Sequence, residues 1–190
     1  MSTRRFRNAL FAALALGATS ALAQGALTEQ MIVTGLVPPT AVTVIIDPGA
    51  LQADAQANIG KGVGKLPSWS QLASLTQFVV EINFQYNSVA IVPESYRNLG
   101  LIADALHHPL LLGYKFLIVG HTDSTGDAKY NLGLSLRRAQ AIQTALTTTF
   151  AVSPKRLAAV GVGEEWPIDP AHPTAAINRR VQLINIGPVK

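Results

Sequence analysis

The residues best placed to do chemistry lie between positions 120 and 140. Gly120-His121-Thr122-Asp123-Ser124-Thr125-Gly126 is a polar loop at the end of an apolar run, and Arg137-Arg138 follows on a helical stretch. Asp123 and Arg138 supply a carboxylate and a guanidinium that could meet across one crevice. Taking the helix to start at Leu134 or Ser135, about 100° per residue puts Ser135, Ala139, Ile142, Leu146 and Phe150 on one face, the buried one. Arg137 then faces water. Arg138 lies about 75° from the stripe's centre, on its flank and in the expected first turn. The helix dipole disfavours a cation there, so Arg138 calls for an anion. Asp123 stands fifteen residues earlier, where α/β sheets place ligand loops. Spacing alone leaves an ordinary salt bridge open beside a binding site.

Other constellations carry less. His107-His108 with His121 resembles a metal set, but adjacent residues at a helix end converge poorly on one ion, and late-turn cations complement the dipole. His121 is expected to orient the loop by hydrogen bonding. Ser124 near His121 and Asp123 lacks the G-x-S-x-G elbow of a nucleophile. Glu164-Glu165 reads as a solvated turn, because neighbours on a strand point to opposite faces. Gly60, Gly62 and Gly64 before Lys65 suggest a phosphate loop, but that pattern needs glycine at 59 and Ser or Thr at 66, where Ile59 and Leu66 stand. Trp69 and Trp166 read as sugar stackers or as packing. No cofactor and no enzymatic activity are expected.

The elements that position these groups are legible in outline. Phe78 to Tyr86 reads as a strand, and a helix opens at Pro93 or Glu94 and carries Leu99, Ile102 and Leu106. Tyr114 to Val119 is a continuous apolar run, expected as a central strand buried on both faces. A helix runs to Thr148, a strand covers Leu157 to Val162, and a last strand runs from Arg180 to Ile186. The order β-α-β-α-β-loop-β implies an α/β sandwich with helices packed on one sheet.

Residues 24–75 look different. Thr28 to Leu36 reads as a short helix stopped by Pro38-Pro39, Ala41 to Ile46 as a strand, and Ala50 to Ser70 as small residues without a period. The segment is expected to be a tail or linker. At the N-terminus, Arg4, Arg5 and Arg7 precede an apolar run, Ala9 to Ala23, that ends in Ala21-Leu22-Ala23. That run is short of the roughly 20 apolar residues a membrane span needs and reads as a cleavable export signal over 1–23. Those three arginines also account for the basic balance: the remaining 12 basic residues face 11 acidic ones, so no basic stripe for nucleic acid exists. Without cysteine the chain has no disulfide, no thiolate ligand and no N-terminal lipid attachment through cysteine.

The loop Gly120–Gly126, then Tyr130-Asn131, Leu134-Ser135 and Arg138-Ala139, resembles the signature of the OmpA-like peptidoglycan-binding domain. Phe84-Gln85-Tyr86-Asn87-Ser88, Gly161 with Gly163-Glu164 and Pro167, and Asn178-Arg179-Arg180-Val181 extend the likeness in order from Phe78 to Ile186, which implies a domain over 76–190. The resemblance implies a mixed four-stranded sheet and non-covalent binding of a cell-wall stem peptide through meso-diaminopimelate. Asp123 would take the ammonium and Arg138 the carboxylate, with Thr122, Asn131, Leu134 and Arg180 or Arg179 nearby. It also implies a periplasmic protein, associated with the outer membrane or free. Ala175 stands where many relatives carry arginine. An alternative keeps the fold but makes the chain an envelope interaction module, with 24–75 docking a protein partner.

Overall fold

The computed structural model describes residues 26–39, 45–85 and 88–189; the export signal therefore lies outside the described residues. Five helices are present among them: α1 (Glu29–Leu36), α2 (Pro48–Ala57), α3 (Pro67–Ala73), α4 (Tyr96–His107) and α5 (Ala128–Thr148). The strands are β1 (Gln77–Val80), β2 (Tyr114–His121), β3 (Leu157–Gly163) and β4 (Val181–Pro188), in the sheet order β1-β4-β2-β3. β2 runs parallel to β3 and antiparallel to β4, which in turn pairs antiparallel with β1. This is the mixed four-stranded sheet with packed helices.

The apolar run of β2 is buried on both faces because each face has its own helical layer. Phe116 and Ile118 enter a core with Leu36, Leu106 and Ile142 from α1, α4 and α5. Leu117 and Val119 enter a second core with Leu51 of α2 and Trp69 and Leu72 of α3. The second layer corrects the reading of Ala50–Ser70 as featureless. Asp47 caps α2 by accepting from Gly49 N at 2.8 Å, and prolines open both α2 and α3. Each helix is too short, and α2 too alanine-rich, to print a period. The segment expected as a tail is thus packed against both faces of the sheet. Of the expected strand Ala41–Ile46, residues 41–44 lie outside the described residues, and Ile45 and Ile46 are not in a strand. The expected helix at Thr28–Leu36 is present, with Thr28 as its cap.

Two further boundaries differ from expectation, for tertiary reasons. The strand expected over Phe78–Tyr86 pairs only as far as Val80, opposite Val181, where β4 begins. From Glu81 to Gln85 the chain pairs with no strand of the sheet, though Phe84 bridges Ile91, and Tyr86 lies outside the described residues. Helix α5 starts at Ala128, capped by Asp127 accepting from Tyr130 N at 2.7 Å, and not at Leu134. Arg138 therefore sits in mid-helix, and the dipole reasoning does not apply to it. The face assignment does: Ser135, Ala139, Ile142 and Leu146 are fully buried, Arg137 is exposed and Arg138 is intermediate.

α5 lies unusually close to the sheet. A Cβ on Gly120 would meet Ser135 O at 2.2 Å, and one on Gly161 would meet Leu136 N at 2.2 Å. Ser135 stitches the joint: its hydroxyl donates to Leu132 O at 2.8 Å and accepts from Gly163 N at 2.8 Å. This contact fixes where the flank of α5 stands relative to the loop after β2.

Candidate functional site

A cleft of about 880 Å³ opens where β2 ends. Its walls are the irregular segment 79–85, the loop 120–126, the first half of α5, and residues 176–181 leading into β4. Thr122, Asp123, Asn131, Leu134, Arg138 and Arg180, all expected from the sequence, line it together.

Asp123 is nearly buried, its side chain 10% exposed. Oδ1 accepts from Thr125 N at 3.0 Å, and Oδ2 forms an ion pair with Nη1 of Arg179. Burial works to raise its pKa, but the Arg179 and Thr125 hydrogen bonds prevail and hold it below the ordinary carboxylate value. Arg138 stands apart from that pair. Its guanidinium lies 4.8 Å over the Phe84 ring and its Nε donates to Ser88 O at 3.2 Å. Among the described residues, no carboxylate comes within ion-pair distance of it. Burial lowers its pKa from the ordinary arginine value, and the nearby Arg179 charge pushes the same way.

The remaining residues divide by what their polar atoms already do. Asn131 Nδ2 donates to Asp123 O at 3.3 Å, Thr125 O at 3.1 Å and Glu164 Oε2 at 2.7 Å, so it holds the loop to α5. Thr122 N donates to Gly163 O at 2.9 Å, while its buried Oγ1 has no hydrogen-bond partner. Leu134 is buried and apolar. Arg180 is also buried, and Nη2 donates to Trp166 O at 3.1 Å and to Gln182 Oε1 at 3.4 Å; burial brings its pKa down to about 10. Of the two adjacent arginines, it is therefore Arg179 that meets Asp123. Asn178 staples the loop beside them, accepting from Ile168 N and Asp169 N at 3.0 Å each. Sequence reasoning missed the role of Phe84 under Arg138; its match to the family's first strand and turn was the available signal.

Several expectations need correction. Glu165 is not a solvated turn residue: it is 5% exposed, and its carboxylate accepts from Gly60 N at 2.6 Å and Gly62 N at 2.9 Å. The glycine loop that resembled a phosphate cradle holds this carboxylate. Glu164 accepts from Asn131. His121 does not orient the loop through its ring; the ring is buried against Trp166, with centroids 5.8 Å apart. Burial, and then the Arg180 charge, depress its pKa well below the ordinary value and keep it neutral. Trp69 is fully buried, packed edge-on against Trp166 at 5.2 Å. Among the described residues, no group of three His, Asp or Glu could hold a metal ion, and no helix is long and apolar enough to cross a membrane.

Comparison with known proteins agrees with this architecture. The chain is 36% identical over 129 residues to the peptidoglycan-associated lipoprotein of Pseudomonas aeruginosa, covering 67% of this chain and 72% of the relative. It is 30% identical over 132 residues to outer membrane porin F of the same organism, covering 68% of this chain but only 36% of the porin. The OmpA-like domain of FopA1 from Francisella tularensis shares the fold at a TM-score of 0.50 and 16% identity, with 60% of this chain and 75% of that one covered. The OmpA family model matches residues 83–180, which include α4, β2, α5 and β3 and most of the residues that line the cleft. On that match the chain belongs to the OmpA family, whose domains bind or build structure and do not catalyse.

Proposed function

We propose that this protein binds peptidoglycan non-covalently in the cell envelope, through the diaminopimelate of the stem peptide. The observation that carries the reading is the pair of opposite charges in one cleft that do not pair with each other. Asp123 offers an acceptor for an ammonium, and Arg138 offers a planar donor with no carboxylate partner among the described residues. Diaminopimelate ends in an ammonium and a carboxylate on one carbon, and a bidentate guanidinium suits the latter. The name of the Pseudomonas relative, a peptidoglycan-associated lipoprotein, supports the wall as the partner. Residues 1–23 would direct export and be removed, leaving the protein in the periplasm or at the outer membrane.

The test is co-sedimentation with purified diaminopimelate-type sacculi, using wild type beside Asp123→Asn and Arg138→Ala. Wild type should pellet with the wall, and both folded variants should stay in the supernatant. Wild type remaining soluble would overturn the reading and favour a protein-interaction role for the same fold. Deleting residues 24–75 cannot separate the two roles, because α2 and α3 cover Leu117, Val119 and Val160.

A further inference from the structure

The cleft holds an asymmetry of charge. Three guanidinium groups, Arg138, Arg179 and Arg180, line it against two carboxylates, the exposed Glu81 and the buried Asp123. Asp123 is already taken by Arg179, whose own side chain is 52% exposed at the rim. Arg138 feels the Arg179 charge as a repulsion.

We infer that Arg179 determines ligand specificity: by occupying Asp123 until a ligand arrives, it excludes stem peptides that bring an ammonium without a carboxylate. The inference rests on the wall-binding reading above. A lysine-type stem ends in an ammonium alone. To reach Asp123 it must displace Arg179, and the freed guanidinium then faces Arg138 and the incoming ammonium with no ligand carboxylate to compensate. Diaminopimelate displaces the same contact, but brings a carboxylate that lies between Arg138 and the released Arg179. The ligand's anion replaces what its cation removes. The half-exposed Arg179 side chain can make this exchange without unpacking the core, whereas the neighbouring Arg180 is held on Trp166 and Gln182.

The experiment is calorimetric titration with two synthetic stem tripeptides that differ only in the third residue, diaminopimelate or lysine. Wild type, Arg179→Ala and Arg179→Lys are compared. Wild type should bind the diaminopimelate peptide at least ~10-fold more tightly than the lysine peptide, the scale of one misplaced charge. In Arg179→Ala the lysine peptide should gain affinity and the ratio should shrink about fivefold or more. Arg179→Lys keeps the competing charge and should keep the ratio. A ratio unchanged in Arg179→Ala, or an equal loss for both peptides, overturns the inference and leaves wall binding standing. Failure of wild type to bind the diaminopimelate peptide overturns both. A general loss of structure would not produce the expected signature, because it cannot raise affinity for one peptide.

Discussion

Each end of β2 lies beside an arginine set over an aromatic ring, Arg156 buried and Arg138 half-buried, and the two are used differently. At the Tyr114 end, Arg156 lies 5.5 Å over Phe116, and Nε, Nη1 and Nη2 donate to the carbonyls of Tyr114, Leu106 and Leu111 at 3.0, 2.9 and 2.7 Å. It fastens the end of α4, the turn that follows and the start of β2. At the His121 end, Arg138 has its ring, Phe84, but a single carbonyl, that of Ser88. Burial lowers the pKa of both from the ordinary arginine value. Desolvation therefore does not tell the structural cation from the one proposed to hold a ligand. What separates them is how many acceptors the fold has already supplied.

Removing each arginine should break that comparison in opposite ways. Arg156→Ala removes three hydrogen bonds to backbone carbonyls, of which Leu111 O keeps a second donor in Tyr114 N, and an unsatisfied buried group costs about 1–3 kcal/mol. We expect a loss of about 3–5 kcal/mol in chemical denaturation, while the fraction still folded binds sacculi as wild type does. Arg138→Ala should cost on the order of 2–5 kcal/mol in wall binding and about 1 kcal/mol in stability, since one carbonyl bond and one ring contact are lost. Asp123→Asn should match it in binding. Substantial unfolding of Arg138→Ala would make that residue a second Arg156 and remove the case for an anion site.

The cleft end also carries a buried histidine, whereas His107 and His108 at the other end are exposed or half-buried. His121 is buried and its folded-state pKa lies well below the ordinary 6.5, through burial first and the Arg180 charge second. The unfolded chain therefore takes up a proton that the folded chain refuses. Stability should be fully present above about pH 6.5 and fall as pH drops toward the folded-state pKa, at up to ~1.4 kcal/mol per pH unit for one proton. Thermal melts between pH 7.5 and 5.5 should show that slope, and His121→Phe should flatten it. An equal slope in the variant would assign the effect elsewhere.

How far such assignments can be read without coordinates depends on whether one element alone decides them. β2, β3 and β4 were legible because their apolar runs are buried by local pattern, and α4 because Leu99, Ile102 and Leu106 repeat at helical spacing. α2 and α3 were not, since ten and seven residues bury only Leu51, Ala55, Trp69 and Leu72. The start of α5 was hidden because Tyr130 and Asn131 serve the cleft and Gly133 dilutes the pattern. The six expected cleft residues do come together, but the partner of Asp123 was not legible: the salt bridge left open was with Arg138, and Arg179 was expected only as one of two adjacent arginines near the crevice. Arg179 and Arg180 part company in extended backbone, one to the rim and one inward. Which goes where is set by Trp166 and Gln182 from other parts of the chain.

Arg137 provides the smallest expected effect and a sharp control. It neighbours Arg138, carries the same charge and lies on the same helix, so any long-range influence on a ligand carboxylate is nearly shared between the two. Arg137 is exposed and forms no ion pair among the described residues, where its neighbour lines the cleft. Arg137→Ala should therefore change sacculus binding by less than about 0.5 kcal/mol, as for an exposed surface charge. The wheel that separated the two started α5 at Leu134, six residues beyond its true first residue, Ala128, yet selected the same buried face. It could do so because angular position depends on the spacing between residues and not on where the helix begins, whereas the dipole reasoning depended wholly on the start. Equal binding losses for Arg137→Ala and Arg138→Ala would mean that net charge, and not the side of the helix, attracts the wall.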